Sequence, residues 1–518
     1  MSELSRREMI TRSAMGGLAL ASGARTGAQE SSSRPNVLLI IDDQHSPRAM
    51  GWTGQTQCIT PSLDRLAAES VRFTGAYSNN PVCGPTRHCI YTGLYSSEHG
   101  VITNDVPMRG GIPTLMSQLN TAGYTTANVG KMHNCPYHHR RDFQHCPNHE
   151  FFIDAAGISH YASFLNHELK ERGIERGEPW GRPREGRKNW LEDPEAVAGV
   201  NWVPEDLTAE RWVTEESLNF IRGQQADRPD QPFFLHASYF PPHHPYRPIE
   251  KYARMYDPRE IKLPPNFNRE VLDRWSNAPN RPGPLTDDDV KRLIAYYYGF
   301  TTQLDAEIGR LLDGLDELGV ADNTIVIFTS DHGDMTSEHG EFYKGSMHEG
   351  SARVPFLMRW PGAHKPRDED APISHVDIPP TVLAAAGVEP DAHLPGRDLR
   401  PLIAGEAWAD RSIYSEFLMR LPFLHLMIRR GPHKLWATSG RGGEVRYRLF
   451  NVVEDPWELR DLAEDPAHAT TYRAMKDELA EQWRAQERHM PSEMPKAPKR
   501  FTYDIPWPAD PWAQVEPA

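Results

Sequence analysis

Four short β-branched or apolar runs, each stopping at a cluster of polar side chains, limit what this chain can fold into. Residues 37–41 stop at Asp42-Asp43, and residues 125–129 stop at Gly130-Lys131-Met132-His133. Residues 233–239 stop at Pro241-Pro242-His243-His244-Pro245, and residues 324–330 at Asp331-His332-Gly333-Asp334. Near-continuous apolar runs of strand length, separated by helical patterns, indicate parallel strands buried on both faces. The expected fold class is therefore α/β, with a large central, mostly parallel sheet flanked by helices. Ligands bind such sheets at the carboxyl ends of the strands, where crossover loops gather. Four polar strand ends thus predict one site.

The intervening segments fit. Residues 112–122 carry a helical pattern, and residues 62–69 follow Pro61 at a helix start. Thr286 is the expected N-cap of a long helix from Asp287 to about Leu318, with Asp287, Asp288 and Asp289 complementing its dipole. The tyrosines at 296–298 are expected to pack in the core. Residues 173–205 and 257–285 are rich in Pro, Gly, Arg, Trp and Asn. They read as long insertions that either shape substrate access or decorate the surface. After about Pro401 the texture changes to antiparallel strands at 412–416, 424–429, 433–437 and 446–451, then a helix at 467–487. The expected organisation is a main domain over 35–400 and a smaller α+β domain with an antiparallel sheet over 401–490. A tail over 491–518 carries seven prolines.

Residues 1–28 read as a twin-arginine signal peptide. Arg6-Arg7 precede a weakly apolar run over 14–24, and Thr26-Gly27-Ala28 follow as a small-residue cleavage site. That run is shorter than the ~20 apolar residues a membrane span needs. No other stretch reaches that length, so the expectation is an exported protein, periplasmic or secreted, with no membrane span. The 518 residues carry 57 Lys+Arg against 71 Asp+Glu, a net charge of −14, which argues against a nucleic-acid partner. Five cysteines are too few for a disulfide scaffold, and an odd count leaves at least one free or chemically used.

Asp42, Asp43, Asp331 and His332 together suit a hard divalent cation. The most informative segment is Cys83-Gly84-Pro85-Thr86-Arg87-His88-Cys89-Ile90-Tyr91-Thr92-Gly93. On local grounds Cys83 is either a thiolate nucleophile, activated by a helix N-terminus and Arg87, or a buried thiol beside a capping turn.

This segment resembles the signature of the formylglycine-dependent sulfatases, members of the alkaline-phosphatase-like superfamily. The resemblance runs from about Pro35 to Leu462 and includes Thr60-Pro-Ser-Leu-Asp-Arg-Leu66, Arg353-Val-Pro-Phe356 and Leu449-Phe-Asn-Val-Val-Glu-Asp-Pro456. It implies that a formylglycine-generating enzyme converts Cys83 to Cα-formylglycine, whose hydrate attacks sulfur. Thr86 departs from the usual Ser or Ala, but Cys83, Pro85 and Arg87 are kept, so modification is still expected. The implied metal ligands are Asp42, Asp43, Asp331 and His332, joined by the formylglycine oxygen at position 83. Ca2+ is the expected ion. His332, where many members have Asn, leaves Mn2+ or Zn2+ open.

The resemblance also implies the remaining roles. Arg87 holds the formylglycine hydrate. Lys131 and His133, in Gly-Lys-Met-His, match the usual Gly-Lys-Trp-His, and Lys344 matches the second sulfate-binding lysine. His243, rather than His244, matches the Pro-His-x-Pro histidine. His243 with Lys344 would protonate the departing alcohol, and His133 would take a proton from the remaining hydroxyl to expel sulfate. A metal and cationic side chains suit a sulfate monoester, whose cleavage develops negative charge on the leaving oxygen.

The implied substrate is a sulfated small molecule or saccharide. The alternatives are a phosphonate monoester or phosphodiester hydrolase of the same superfamily, and an inactive relative that binds sulfated ligands. Two features stay open. Cys135, His138, His139, His145, Cys146 and His149 read as a zinc site, a Cys135–Cys146 disulfide or a His-rich loop. His45 either touches substrate or caps the loop after Asp43.

Overall fold

A computed structural model of the chain describes residues 34–104, 106–135, 140–147, 160–175, 197–277, 284–420, 423–439 and 444–489. The segments 1–28 and 491–518, with His138, His139 and His149, lie outside the described residues.

The apolar runs form the middle of a sheet of seven strands. These are β1 (Asn36–Asp43), β2 (Val71–Phe73), β4 (Thr125–Gly130), β5 (Phe233–Pro242), β6 (Thr324–Ser330), β7 (Phe356–Arg359) and β8 (Arg367–Glu369), in the order β4-β5-β1-β6-β7-β2-β8. β4, β5, β1 and β6 are mutually parallel, as their continuous apolar character predicts, whereas β7 runs antiparallel to both β6 and β2. A short pair, β3 (Ala76–Tyr77) with β9 (Ile373–Ser374), stands beside it. Register fixes the site. Ile41 pairs with Ser238 and with Thr329, and Gly130 also pairs with Ser238. The four polar clusters therefore leave the sheet at one level.

Alternation along β1 builds a core on each face. Leu38 and Ile40 pack with α1 (Pro61–Ala68), α4 (Ala209–Asp227) and α6 (Asp287–Glu317). Val37, Leu39 and Ile41 pack with α2 (Cys83–Thr92), α3 (Leu115–Thr121) and α7 (Ile378–Ala385). Burying each such side chain contributes roughly 1.5–3 kcal/mol before the ordering cost. α6 begins where its capping signals place it: Asp289 N donates to Thr286 Oγ1 at 3.2 Å, and Thr286 N donates to Asp289 Oδ2 at 2.9 Å. α3 starts at Leu115, later than the apolar pattern suggests, because Thr114 accepts from Ser117 N at 3.1 Å and acts as the cap.

The span 257–285 is more structured than its composition predicts. It holds α5 (Arg269–Ser276), whose Val271, Leu272 and Trp275 are buried. Beyond residue 401, β10 (Ile413–Arg420), β11 (Phe423–Arg430), β12 (His433–Ser439) and β13 (Val445–Asn451) form an antiparallel sheet in sequence order. α8 (Ala469–Glu487) contributes Met475 and Leu479 to a core shared with Leu426, Leu435 and Cys89 of α2. The C-terminal sheet thus backs the helix that begins at Cys83.

Candidate active site

α2 places Cys83 at its first residue, after Val82 in extended conformation. Gly84 N donates to Asn104 Oδ1 at 2.9 Å, and a Cβ at Gly84 would lie 2.9 Å from that oxygen, so only glycine fits without displacing it. Thr86 Oγ1 accepts from Ser78 Oγ at 2.9 Å and lies 2.9 Å from His375 Nδ1, so the larger residue is accommodated.

Cys83 Sγ lies 3.1 Å from His332 Nε2 and 3.6 Å from Asp43 Oδ1. The ligand atoms of Asp43, Cys83, Asp331 and His332 all lie within 4.8 Å of one another, and all four residues are buried. His332 Nδ1 donates to the Gly333 carbonyl at 3.0 Å, which orients the ring with Nε2 facing Cys83, and Asp331 and Cys83 raise the imidazole above its usual range against the effect of burial. Asp42 stands outside this group. Its Oδ2 lies 2.5 Å from His45 Nδ1, while its buried Oδ1 accepts no hydrogen bond from any described residue. His45 is fully buried and also reaches the Ala49 carbonyl at 3.3 Å, so it caps the loop.

Arg87 binds the acidic side of this cluster. Its Nε donates to Asp331 Oδ2 at 3.0 Å and its Nη1 to Ser238 Oγ at 2.8 Å, with Nη2 3.5 Å from Asp43 Oδ2. Lys131 Nζ donates to Asp43 Oδ2 and lies 5.4 Å from the centre of the Phe240 ring. His243 Nε2 lies 2.7 Å from Lys344 Nζ, and its Nδ1 donates to the His244 carbonyl. His133 stands in the left-handed region, with φ 54°, and hydrogen-bonds to Cys83. His244 turns to Gln44 Nε2, at 2.9 Å, and to the ring of Tyr343.

Burial opposes ionisation of Cys83, but Lys131, Lys344 and His332 outweigh it and draw the thiol well below its usual range. Burial and the neighbouring Asp43 push Asp331 up to about 6, while burial and Lys344 push His243 down to about 4. The site thus gathers anions on one side and cations on the other, with Cys83 between them.

Sequence patterns missed three supports. Gln44, with φ 67°, donates its backbone N–H to Asp331 Oδ1 at 3.1 Å and accepts from Lys344 Nζ at 2.6 Å. Asp334 accepts from the backbone of Thr336 at 2.7 Å and of Tyr343 at 3.2 Å, shaping the loop that carries Lys344. Trp275 of α5 packs on Phe342 and Tyr343 with ring centres 5.7 and 5.5 Å apart, bracing the same loop. Tyr297 is buried as expected, yet its hydroxyl donates to the Gln44 carbonyl at 2.9 Å.

Among the described residues one other group has ligand spacing: His339, His348 and Glu458. There Lys434 Nζ lies 2.5 Å from Glu458 Oε1 and 2.9 Å from Glu349 Oε1, so an ammonium already balances the carboxylates. No disulfide joins Cys135 to Cys146, and His145 stacks on Phe220.

Comparison with known proteins agrees with this geometry. The sulfatase family model matches residues 35–388, and a model for the C-terminal region of N-sulphoglucosamine sulphohydrolase matches residues 337–486. An arylsulfatase of Clostridium perfringens is 31% identical over 452 residues, covering 83% of this chain and 90% of that protein. The fold is shared with the phosphonate monoester hydrolase of Agrobacterium radiobacter, at TM-score 0.72 and 24% identity over 88% of this chain and 96% of that one. It is shared too with a protein solved in complex with its substrate D-glucosamine-2-N,6-O-disulfate, at TM-score 0.68 and 22% identity over 88% of this chain and 98% of that one. With a family model spanning most of its length around this cluster, the chain belongs to the sulfatase family.

Proposed function

We propose that this protein hydrolyses sulfate monoesters, with Cys83 matured to Cα-formylglycine by a formylglycine-generating enzyme and one divalent cation held beside it. The observation that carries this reading is the position of Cys83 Sγ. It is the first side chain of α2, 3.1 Å from His332 Nε2, and Lys131, Lys344 and His332 all act on its charge.

The residues fit a cation. Two buried carboxylates, an imidazole with its Nε2 directed inward, and position 83 lie within ligand distance of one another. The unpartnered, buried Oδ1 of Asp42 is a further oxygen whose desolvation a cation would offset. Asp43, Asp331, His332 and residue 83, with Asp42 at the margin, would hold the ion. The oxygen-rich set favours Ca2+, and His332 admits Mn2+ or Zn2+. When bound, the cation supplies Lewis-acid stabilisation of anionic oxygens, and the aldehyde hydrate at position 83 supplies an oxygen nucleophile for sulfur.

The side chains of this protein do the rest. Lys131 and Lys344 hold the sulfate oxygens through charge-assisted hydrogen bonds. Arg87 fixes Asp331 and, through Ser238, the end of β5. The His244 carbonyl can only accept, so His243 Nδ1 keeps its hydrogen and Nε2 is the atom that exchanges a proton. Lys344 Nζ, 2.7 Å away, supplies that proton, and the leaving alcohol oxygen receives it. His133, hydrogen-bonded to residue 83, is placed to take a proton there.

A sulfated carbohydrate is the favoured substrate class, supported by the structural neighbour whose substrate is a disulfated glucosamine. A second reading, phosphonate monoester or phosphodiester hydrolysis, draws on the Asp331-His332 pair and the likeness to a phosphonate monoester hydrolase. Rates on an aryl sulfate, an aryl phosphodiester and an aryl phosphonate separate the two. A larger kcat/KM for the sulfate is expected, and preference for either phosphorus ester would overturn the first reading. Export is supported by the arginine pair and apolar run within 1–28, and no described helix is long and apolar enough to cross a membrane.

A further inference from the structure

Gln44 lies directly after the two aspartates that end β1 and is fully buried. Its backbone occupies the left-handed region at φ 67°, which costs a residue with a side chain on the order of 1–3 kcal/mol. That conformation is held at both ends. The Gln44 N–H donates to Asp331 Oδ1 at 3.1 Å, and its carbonyl accepts from the Tyr297 hydroxyl at 2.9 Å.

The side chain has one self-consistent orientation. A carboxylate only accepts, so the atom 2.6 Å from Asp334 Oδ2 is the amide nitrogen. An ammonium only donates, so the atom 2.6 Å from Lys344 Nζ is the amide oxygen. The nitrogen also donates to His244 Nδ1 at 2.9 Å. Asp334 has its own anchors: the Tyr246 hydroxyl at 2.7 Å on Oδ2, with Thr336 N and Tyr343 N on Oδ1.

The carboxamide therefore stands between a buried carboxylate and a lysine. Without it, Asp334 and Lys344 would be separated by little more than the breadth of an amide, and opposite charges at that range inside a protein attract strongly. Lys344 drawn onto Asp334 would leave His243, because one ammonium cannot serve both positions.

We propose that Gln44 is a positioning residue for protonation of the leaving group. Its amide keeps Lys344 apart from Asp334 and holds the ammonium against His243 Nε2. This rests on the sulfatase reading and assigns Gln44 no contact with substrate.

The test compares the unsubstituted protein, Gln44→Met, Lys344→Ala and the double variant on aryl sulfates of increasing leaving-group basicity. Met keeps the length and volume of Gln but neither accepts from Lys344 nor donates to Asp334. Gln44→Met is expected to lower kcat/KM about 10- to 100-fold for the most basic leaving group, the scale of lost outer-sphere partners, and little for nitrophenyl sulfate. In the Lys344→Ala background the same substitution should have little further effect. Gln44→Asn, an amide one methylene short, should give the same dependence on leaving group if the Met variant does not fold. A loss equal for every leaving group, or undiminished without Lys344, would overturn the inference. No turnover of any aryl sulfate by the unsubstituted protein would instead remove the sulfatase reading beneath it.

Discussion

His243 Nε2 lies 2.7 Å from Lys344 Nζ, so in the resting site the imidazole accepts a hydrogen bond from the ammonium. Burial first, and Lys344 second, hold His243 down to about 4, so at neutral pH the imidazole is uncharged. A leaving group that needs a proton should feel the loss of this pair most. His243→Ala is expected to lower kcat about 100- to 10,000-fold on alkyl and sugar sulfates, with a smaller effect on nitrophenyl sulfate. Steady-state kinetics across the two substrate types check this.

Arg87 is fully buried and faces Asp331 and Asp43. Replacing it by Met leaves Asp331 without its guanidinium partner in a site that excludes water. Losing one partner of a buried ion pair costs about 3–5 kcal/mol. Urea unfolding of metal-free Arg87→Met should show a lower midpoint with an unchanged slope.

The cluster of Asp43, Cys83, Asp331 and His332 predicts about one divalent ion per chain, measurable by elemental analysis after gel filtration. Asp43→Asn should reduce that content to near zero. His332→Ala should weaken binding and shift the remaining selectivity towards Ca2+, because the one nitrogen ligand is gone. Dialysis against a chelator should lower the melting temperature, since an ion bound only by the folded state stabilises it by mass action.

Glu210 of α4 is buried away from the site, accepts from Gln303 Nε2 and has Glu307 as a like-charged neighbour. Burial above all pushes its carboxyl up from 4.5 to about 7. The folded state thus keeps a proton that the unfolded chain releases above pH 4.5, so this group's contribution is complete at low pH and is lost as pH rises through 7. Its size is on the order of 3 kcal/mol. Glu210→Gln should flatten the fall in stability between pH 4.5 and about 7, followed by thermal melts at several pH values.

The sheet and its converging ends were legible because β1, β4, β5 and β6 are short runs rich in apolar and β-branched residues that end at charged or histidine residues. The long helix α6 was legible because Thr286 and Asp289 announce its start. Gln44 and Asp334 left no such mark. Their roles depend on a left-handed turn and on hydrogen bonds between residues far apart in sequence, 300 positions for Gln44 and Lys344. α5 was hidden because Pro, Asn and Arg around it read as loop, although Val271, Leu272 and Trp275 form a buried face. Asp42 was legible only by its place beside Asp43: its Oδ2 turns to His45, while its buried Oδ1 accepts no hydrogen bond from any described residue.

Formylglycine at position 83 is read from the mass of the peptide containing that residue, from protein produced together with a formylglycine-generating enzyme. An aldehyde in place of the Cys83 thiol is expected, in proportion to turnover of an aryl sulfate. A preparation that hydrolyses the ester at full rate with residue 83 still an unmodified cysteine would contradict it.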